Sequence, residues 1–553
     1  MRINSYLFLL LAMTITDLCT GQDTQGFFAD DFKPKEAVIP ESKEISGPVT
    51  DPGVSITVNF QDTVARVLDY IYGNNANVYM TQMISQPELI NHIRLLNPNL
   101  LRYPGGNLSN MFFWNAKRRK LPADVPNPLY VGGYTKYSDN FWYGKNKRAY
   151  TLSVDNYYKM LEQTNSTGII CVNYAYARYG TGPEPVQTAA KLAADWVRYD
   201  NGRTKFWEIG NENYGAWQAG HEIDIKNNKD GQPKIISGEL YGKHFRIFAD
   251  SMRAAAKETG ADIKLGAVMV EIHKEYDAPI ENGWNRGLLE QAGDKIDFYV
   301  VHSYYTPYND NSTAAVILNT SEKATIKMVK HMNEISAECN VSMKPVALTE
   351  WNIFATGSKQ SCSFINGIHA TMVLGELIKN RFGMACRWDL VNRWADGNDH
   401  GMFNYGDEPD VPRWNPRPVY FYMYFFQRFF GDHMVSSSVS GNKDVVAYAS
   451  KFSSGEAGIV VVNRGKKEQV AELVINDFKY GKRCYIYTLT GGDDNGEFSQ
   501  KVFVNRSGPD NLTGGPVKDL QNIKALSQKI NKGIKLGLPA YSVLFLLVED
   551  QEK

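Results

Sequence analysis

Two apolar runs in this chain end in carboxylates. The first reads Phe206-Trp207-Glu208-Ile209-Gly210-Asn211-Glu212-Asn213, the second Val346-Ala347-Leu348-Thr349-Glu350-Trp351-Asn352. Burying an unpaired carboxylate is costly, so an apolar strand rarely ends in one without a task. A pair facing one cleft is what glycoside hydrolysis needs: one acid protonates the leaving oxygen, and the other attacks the anomeric carbon or activates water. Proximity also separates their pKa values, because charge on one keeps the other protonated near neutral pH. Either acid alone is as readily structural; the pair, both after strands and both flanked by polar partners, is the specific signal.

Other chemistries fit poorly. The chain has no Gly-x-Ser-x-Gly elbow, no Gly-x4-Gly-Lys-Ser/Thr loop and no His-Glu-x-x-His pair. Gly105-Gly106 lacks dinucleotide-binding spacing, so no cofactor is implied. Cys171, Cys339, Cys362, Cys386 and Cys484 are widely spaced, which gives neither a disulfide framework nor a metal site. Lys+Arg and Asp+Glu both total 60. No net field is left to draw nucleic acid or an anionic membrane. The expected partner is a polysaccharide or oligosaccharide substrate, and the oligomeric state is left open.

The elements that must position the two acids follow from periodicity. Short apolar runs at Tyr70–Gly73, Leu100–Tyr103, Ile169–Tyr174, Phe206–Ile209, Ile263–Met269, Phe298–His302, Val346–Thr349 and Ala385–Trp388 alternate with helical stretches. Val186, Ala189, Ala190, Ala193 and Val197 share one helix face, and Asn201-Gly202 ends that helix. Tyr241, Phe245, Phe248 and Met252 line another. Eight strands alternating with helices predict a (β/α)8 TIM barrel over 69–415. The tail, 416–553, carries β-like runs at Val445–Ser450, Gly458–Asn463, Ala471–Ile475, Cys484–Thr488 and Tyr541–Val548, and reads as a C-terminal β-sandwich. The alternating run at Ser55–Phe60, within 51–68, has no barrel partner and is expected to join that sandwich.

Residues 22–50 are polar and aperiodic and read as a linker. Residues 1–21 read as a signal peptide: Arg2, an apolar stretch from Tyr6 to Ile15, then Cys19-Thr20-Gly21 before the cut. No later run reaches the roughly 18 apolar residues that span a bilayer. The expected location is secreted or periplasmic, with lipidation of Cys19 as the alternative. Residues 108–150 form a long insertion after the second strand, rich in rings from Phe112, Phe113 and Trp114 to Phe141, Trp142 and Tyr143. It reads either as a sugar-stacking wall or as a satellite core. The Lys117–Lys120 charge run reads as a solvated face rather than a subsite for an acidic sugar.

Gly210-Asn211-Glu212 and Thr349-Glu350-Trp351-Asn352 resemble the strand-4 and strand-7 signatures of clan A retaining glycoside hydrolases. Arg102-Tyr103-Pro104-Gly105-Gly106-Asn107 resembles the Arg-Trp-Pro-Gly-Gly-Asn run of family 51 α-L-arabinofuranosidases. Trp217-Gln218-Ala219-Gly220, Asp297–Tyr305 and Leu538–Ser542 are similar to further segments of that family. The resemblance implies Glu212 as acid/base, Glu350 as nucleophile, carboxyls about 5–5.5 Å apart, and retention of configuration. It leaves two substrate readings, an arabinofuranosidase-like one and an endo-acting glycanase such as an agarase; a non-catalytic polysaccharide-binding protein on the same scaffold is the rival.

Around the acids, Asn211 is expected to bond the sugar 2-hydroxyl. Arg102 is expected to hold Glu350 ionised, or else to serve a plain structural ion pair. His302 and Tyr304 alternate on strand 6 and both point inward, His302 towards Glu212 and Tyr304 towards Glu350; a satisfied core histidine is the alternative for His302. Asn107 is expected at the substrate or only in the Gly-Gly turn, and Trp351 and Trp388 as stacking platforms. The family's Tyr-Gly-x-x-x-Glu run, whose Glu grips arabinose, reads here Tyr72-Gly73-Asn74-Asn75-Ala76-Asn77. Asn77 therefore brings an uncharged hydrogen-bonding group to the substrate side.

Overall fold

The computed structural model describes residues 24–272, 278–308, 310–394, 399–530 and 533–551. The signal peptide expected at 1–21 lies outside them. Eight parallel strands close a barrel: β1 (Gly73–Asn75), β2 (Leu100–Tyr103), β3 (Thr167–Val172), β4 (Phe206–Ile209), β5 (Lys264–Val268), β6 (Phe298–Ser303), β7 (Val346–Trp351) and β8 (Met384–Arg387). Strands buried on both faces are mostly apolar, which is why these runs stand out; Gly73-Asn74-Asn75 is the exception. The first is shifted: Asp69–Tyr72 is a 3-10 turn, and the strand starts at Gly73. A Cβ on Gly73 would lie 2.4 Å from the Ala385 carbonyl, so only glycine allows β1 to close on β8.

The helices present one apolar face to the strands. Pro185–Asp200 buries Val186, Ala189, Ala190, Ala193 and Val197, and ends at Asn201 with φ 54°. Gly238–Thr259 is capped by Ser237, whose side chain accepts from the Leu240 amide, and ends at left-handed Gly260.

Two boundaries differ from the sequence reading. Helix Pro418–Phe429 falls inside 416–553 but packs beside helix Phe364–Lys379 and closes the barrel's outer ring. It carries no polar stripe because its other side is covered by sheet: Phe425 meets Tyr487 at 4.8 Å and Phe545 at 5.9 Å between centroids. Within the stretch read as a linker, residues 24–50 are not free. Phe28 plugs the barrel's lower end against Phe206 and Phe298, and Ser42–Glu44 pairs in parallel with Ala525–Ser527.

The C-terminal sheet starts at His433. Its strands run in the order Ser42–Glu44, Ala525–Lys529, Tyr480–Gly491, Ser542–Asp550, Ala457–Asn463, Val445–Lys451, His433–Ser440, Val54–Arg66, Gln469–Asn476, Ile534–Leu538. Ile56, Leu473 and Leu536 from one end of that order share a core with Ile459, Ile486 and Leu546 from the other. The sheet therefore folds on itself into a β-sandwich.

The insertion at 108–150 is mostly a satellite core. Phe112, Phe113, Trp114, Phe141 and Tyr143 are buried, with Trp114 stacked on Trp196. Arg118 and Arg119 both pair with exposed Asp139 on the surface.

Candidate active site

The acids sit where the barrel strands end. The β6–β7 ladder slips at Val301/His302 and the β7–β8 ladder slips beyond Leu348. The slip sets His302 level with Glu350 on neighbouring strands and aims both inward. Glu212 follows β4 after Gly210, which has φ 93°. Glu212 itself holds φ 46°, the strained left-handed region that side-chain-bearing residues adopt mainly where function requires it.

Six side chains then converge. His302 Nδ1 bonds Glu212 Oε1 at 2.9 Å and lies 3.7 Å from Glu350 Oε2. The Tyr304 hydroxyl donates to Glu350 Oε1 at 2.6 Å. Trp217 Nε1 and Gln218 Nε2 donate to Glu212 Oε2 at 3.1 and 3.0 Å. One ligand atom each from Glu212, His302 and Glu350 lie within 4.8 Å of one another. A cation would fit that spacing, but the His302–Glu212 bond already engages two of the three atoms.

Beneath them lies a charged core. Arg102 donates through Nε to Glu208 at 2.7 Å, through one terminal nitrogen to Asn75 at 3.0 Å and Glu350 at 3.3 Å, and through the other to Asn211 Oδ1 at 2.9 Å. Asn211 Oδ1 is thereby committed, and its buried Nδ2 has no partner among the described residues. A donor fixed at that point suits a sugar hydroxyl.

The electrostatics run against the simplest expectation. Burial works to raise Glu212, but the bond and charge of His302, then the Trp217 N–H and Arg102, leave it below the usual carboxylate value. Burial raises Glu350 and the Glu212 charge adds to this; His302, Arg102 and Tyr304 oppose without cancelling it. Burial lowers His302, yet Glu350 and Glu212 together raise it. These shifts favour a proton on His302 and Glu350 over one on Glu212.

A cavity of about 1060 Å³ opens above the pair, lined among others by Asn107, Trp142, Tyr304, Trp388 and both acids. Five sequence-derived candidates do not line it: His302 and Asn211 lie beneath the acids, and Trp351, Asn77 and Arg102 are buried away from it. Trp351 is 1% exposed. Neighbouring residues on a strand point to opposite faces, so if Glu350 faces the cleft, Trp351 must face the helices, which removes it as a stacking platform. Asn77 and Arg102 are both 0% exposed. Arg102 therefore acts on Glu350 and Asn211 from below rather than on substrate, and its closest carboxylate is Glu208. Asn77 instead bonds Tyr79 and Asp389. Asp389, just after β8, is a buried carboxylate close to where the resemblance expects one. Burial pushes its pKa up to about 7, against the opposing Tyr79 bond and Arg387 charge.

Sequence reasoning missed Glu208, Asp389 and several lining residues: Tyr79, Tyr150, Tyr308, Phe354, His400 and Tyr405. Glu208 was visible as an acid in mid-strand. The others sit in loops whose courses no motif fixes.

No family model matches the chain. It is 23% identical over 303 residues to an intracellular exo-α-(1→5)-L-arabinofuranosidase of Bifidobacterium longum, across 48% of this chain and 44% of that protein. The chain spans about half the length of the curated relatives it matches. Among solved structures, the α-L-arabinofuranosidase of Thermotoga maritima in complex with arabinose aligns with a TM-score of 0.62 at 19% identity, covering 90% of this chain and 100% of that one. A family 51 α-L-arabinofuranosidase of Bifidobacterium longum aligns at 0.63 and 16%, with the same coverage. The chain thus resembles family 51 of the clan A glycoside hydrolases and shares their barrel-plus-sandwich fold.

Proposed function

We propose that the protein is a retaining glycoside hydrolase that cleaves polysaccharide or oligosaccharide linkages by double displacement. One observation carries this reading: oxygens of Glu212 and Glu350 approach within 4.8 Å at the floor of one open cleft. That suits the roughly 5–5.5 Å spacing of a nucleophile pair better than the about 6.5–9.5 Å of an inverting pair.

Glu350 is the nucleophile. Both its oxygens are held, by Tyr304 and by Arg102, while the Glu212 side chain is the more open, 16% against 7% exposed. The acid must reach a glycosidic oxygen, so geometry gives that part to Glu212. A proton crosses the 2.9 Å bond from His302 Nδ1 to Glu212 Oε1. That transfer gives up the His302 charge as well as the Glu212 charge, so Arg102 and Tyr304 are the groups left to hold Glu350 as the attacking carboxylate. A Glu350 oxygen then bonds the anomeric carbon as the glycosidic C–O bond breaks, and the Glu212 proton goes to the leaving oxygen. In the second half Glu212 takes a proton from water, whose oxygen displaces Glu350.

Arabinofuranosidase-like activity is the first substrate reading. The endo-acting reading has its own support. A second cavity, also of about 1060 Å³, shares Tyr304 and Tyr308 with the first and offers room for further sugar units beside it. Export outside the cytoplasm rests on residues 1–21 alone.

The test is a screen of nitrophenyl glycosides and plant and algal polysaccharides with product sizes recorded. Single sugars indicate exo action, and a ladder of oligomers indicates endo action. Glu350→Ala is expected to lower turnover by roughly 10⁴-fold or more. Sugar binding without turnover in the wild type makes the protein a binding module instead.

A further inference from the structure

Three side chains at the cleft floor take no part in the steps above. Tyr79 lines the cleft beside Trp388. Its hydroxyl donates to Asp389 Oδ2 at 3.1 Å and accepts from Asn77 Nδ2 at 2.9 Å. Asn77 Nδ2 also donates to the same Asp389 oxygen. Asn77 and Asp389 are fully buried, and the Gly105-Gly106 turn closes over them: a Cβ on Gly105 would sit 3.2 Å from the Trp388 ring and 3.6 Å from Asn77 Oδ1.

Chemistry fixes the direction of each bond. An ionised carboxylate only accepts, so Asn77 must turn its NH2 rather than its oxygen to Asp389. A phenol has one proton and two lone pairs. The Tyr79 proton is committed to Asp389 and one lone pair to Asn77. What remains for the cleft is a single acceptor, with no donor beside it on that residue.

We propose that Tyr79, locked by Asn77 and Asp389, forms a subsite that accepts a hydrogen bond from one free hydroxyl of the sugar being cleaved, so the substrate is a glycoside unsubstituted at that position. The subsite rests on the hydrolase reading above. Tyr79 is the contacting group; Asn77 and Asp389 are positioning residues. A deoxy sugar leaves the acceptor unpaired, and an O-methyl ether puts oxygen against oxygen. Losing one such bond in a site built for it lowers kcat/KM by about tenfold or more.

The experiment compares wild type, Tyr79→Phe and Asp389→Ala at about pH 8, where Asp389 is ionised in the wild type. The probes are the aryl glycoside the wild type cleaves best, its monodeoxy series and its mono-O-methyl series. The wild type is expected to disfavour one deoxy analogue and the matching ether by about tenfold or more. Tyr79→Phe is expected to slow on the parent and not on that deoxy analogue, so the ratio collapses. Asp389→Ala removes the acceptor and frees the phenol proton to turn to the cleft, so this variant is expected to gain on the ether, an effect no loss of stability produces. Equal parent-to-analogue ratios in wild type and Tyr79→Phe, with both enzymes active, overturn the subsite and leave the hydrolase standing. An unchanged ether ratio in Asp389→Ala removes Asp389 from it. A wild type that cleaves nothing in the screen ends both readings.

Discussion

At the residue scale the site is governed by one proton shared among Glu212, His302 and Glu350. Turnover needs Glu350 ionised and Glu212 protonated, so rate against pH is bell-shaped, with limbs that belong to the trio rather than to single residues. The His302 charge is the leading influence that lowers Glu350. Removing it lets burial and the Glu212 charge raise Glu350 further. In His302→Gln the acid limb of kcat/KM is therefore expected at higher pH, and an unmoved limb dissociates His302 from the pair. Glu212→Ala removes protonation of the leaving group. It is expected to slow polysaccharide cleavage by about 10²–10⁴-fold and nitrophenyl glycosides far less, because nitrophenolate departs without an acid. Glu208 has another kind of importance. Its side chain and that of Arg102 are both 0% exposed, so Glu208→Leu leaves a buried guanidinium half-paired. The expected loss is about 3–5 kcal/mol, read as a lowered denaturation midpoint.

At the scale of elements, what could be read in the chain depended on how each segment is covered. The barrel strands announce themselves because both faces are dry, and helices Pro185–Asp200 and Gly238–Thr259 because only one side is. Helix Pro418–Phe429 hides for the opposite reason: Tyr420 through Gln427 are all buried, so no polar face gives a 3.6-residue rhythm. Residues 24–50 look like linker by composition, yet Phe28, with Phe27 beside it, fastens the start of that segment. Glu212 and Glu350 were legible because each lies in a contiguous local motif. Tyr79 and Asp389 were not, since their meaning comes from a contact across 310 positions of sequence. Phe28 tests the fastening. It is 1% exposed and touches the rings of Phe206, Phe298 and Tyr70 at the end of the barrel away from the acids. Phe28→Ala is expected to cost about 3–5 kcal/mol with KM unchanged. A KM that rises in step with the lost stability shows instead that the barrel's lower end shapes the cleft.

At the scale of the whole molecule, the sandwich and the barrel are not separable bodies. Strand Val54–Arg66 enters from the N-terminal side of the barrel. It lies between His433–Ser440, antiparallel, and Gln469–Asn476, parallel. It supplies Val54, Ile56, Val58 and Phe60 to the sandwich core. Tyr448 of the sandwich fills the space left by Gly375 on a barrel helix and bonds Glu376 at 2.9 Å. A fragment holding only residues 430–553 thus lacks an interior strand. It exposes two strand edges and part of its apolar core, the combination that drives chains to aggregate. That fragment is expected to run as aggregate in size exclusion and to show no cooperative unfolding. Joining residues 51–68 to it through a flexible linker restores the missing strand and should give a monomer with a sharp transition. A monomeric, cooperatively folding 430–553 fragment contradicts this account, because the sheet would then close without the strand that the barrel's entry segment provides. The dependence also explains how the cleft keeps its shape. The sheet that Val54–Arg66 completes presses on helix Pro418–Phe429 through Tyr487 and Phe545. That helix follows the β8 loop carrying Trp388, Asp389 and His400 over the acids.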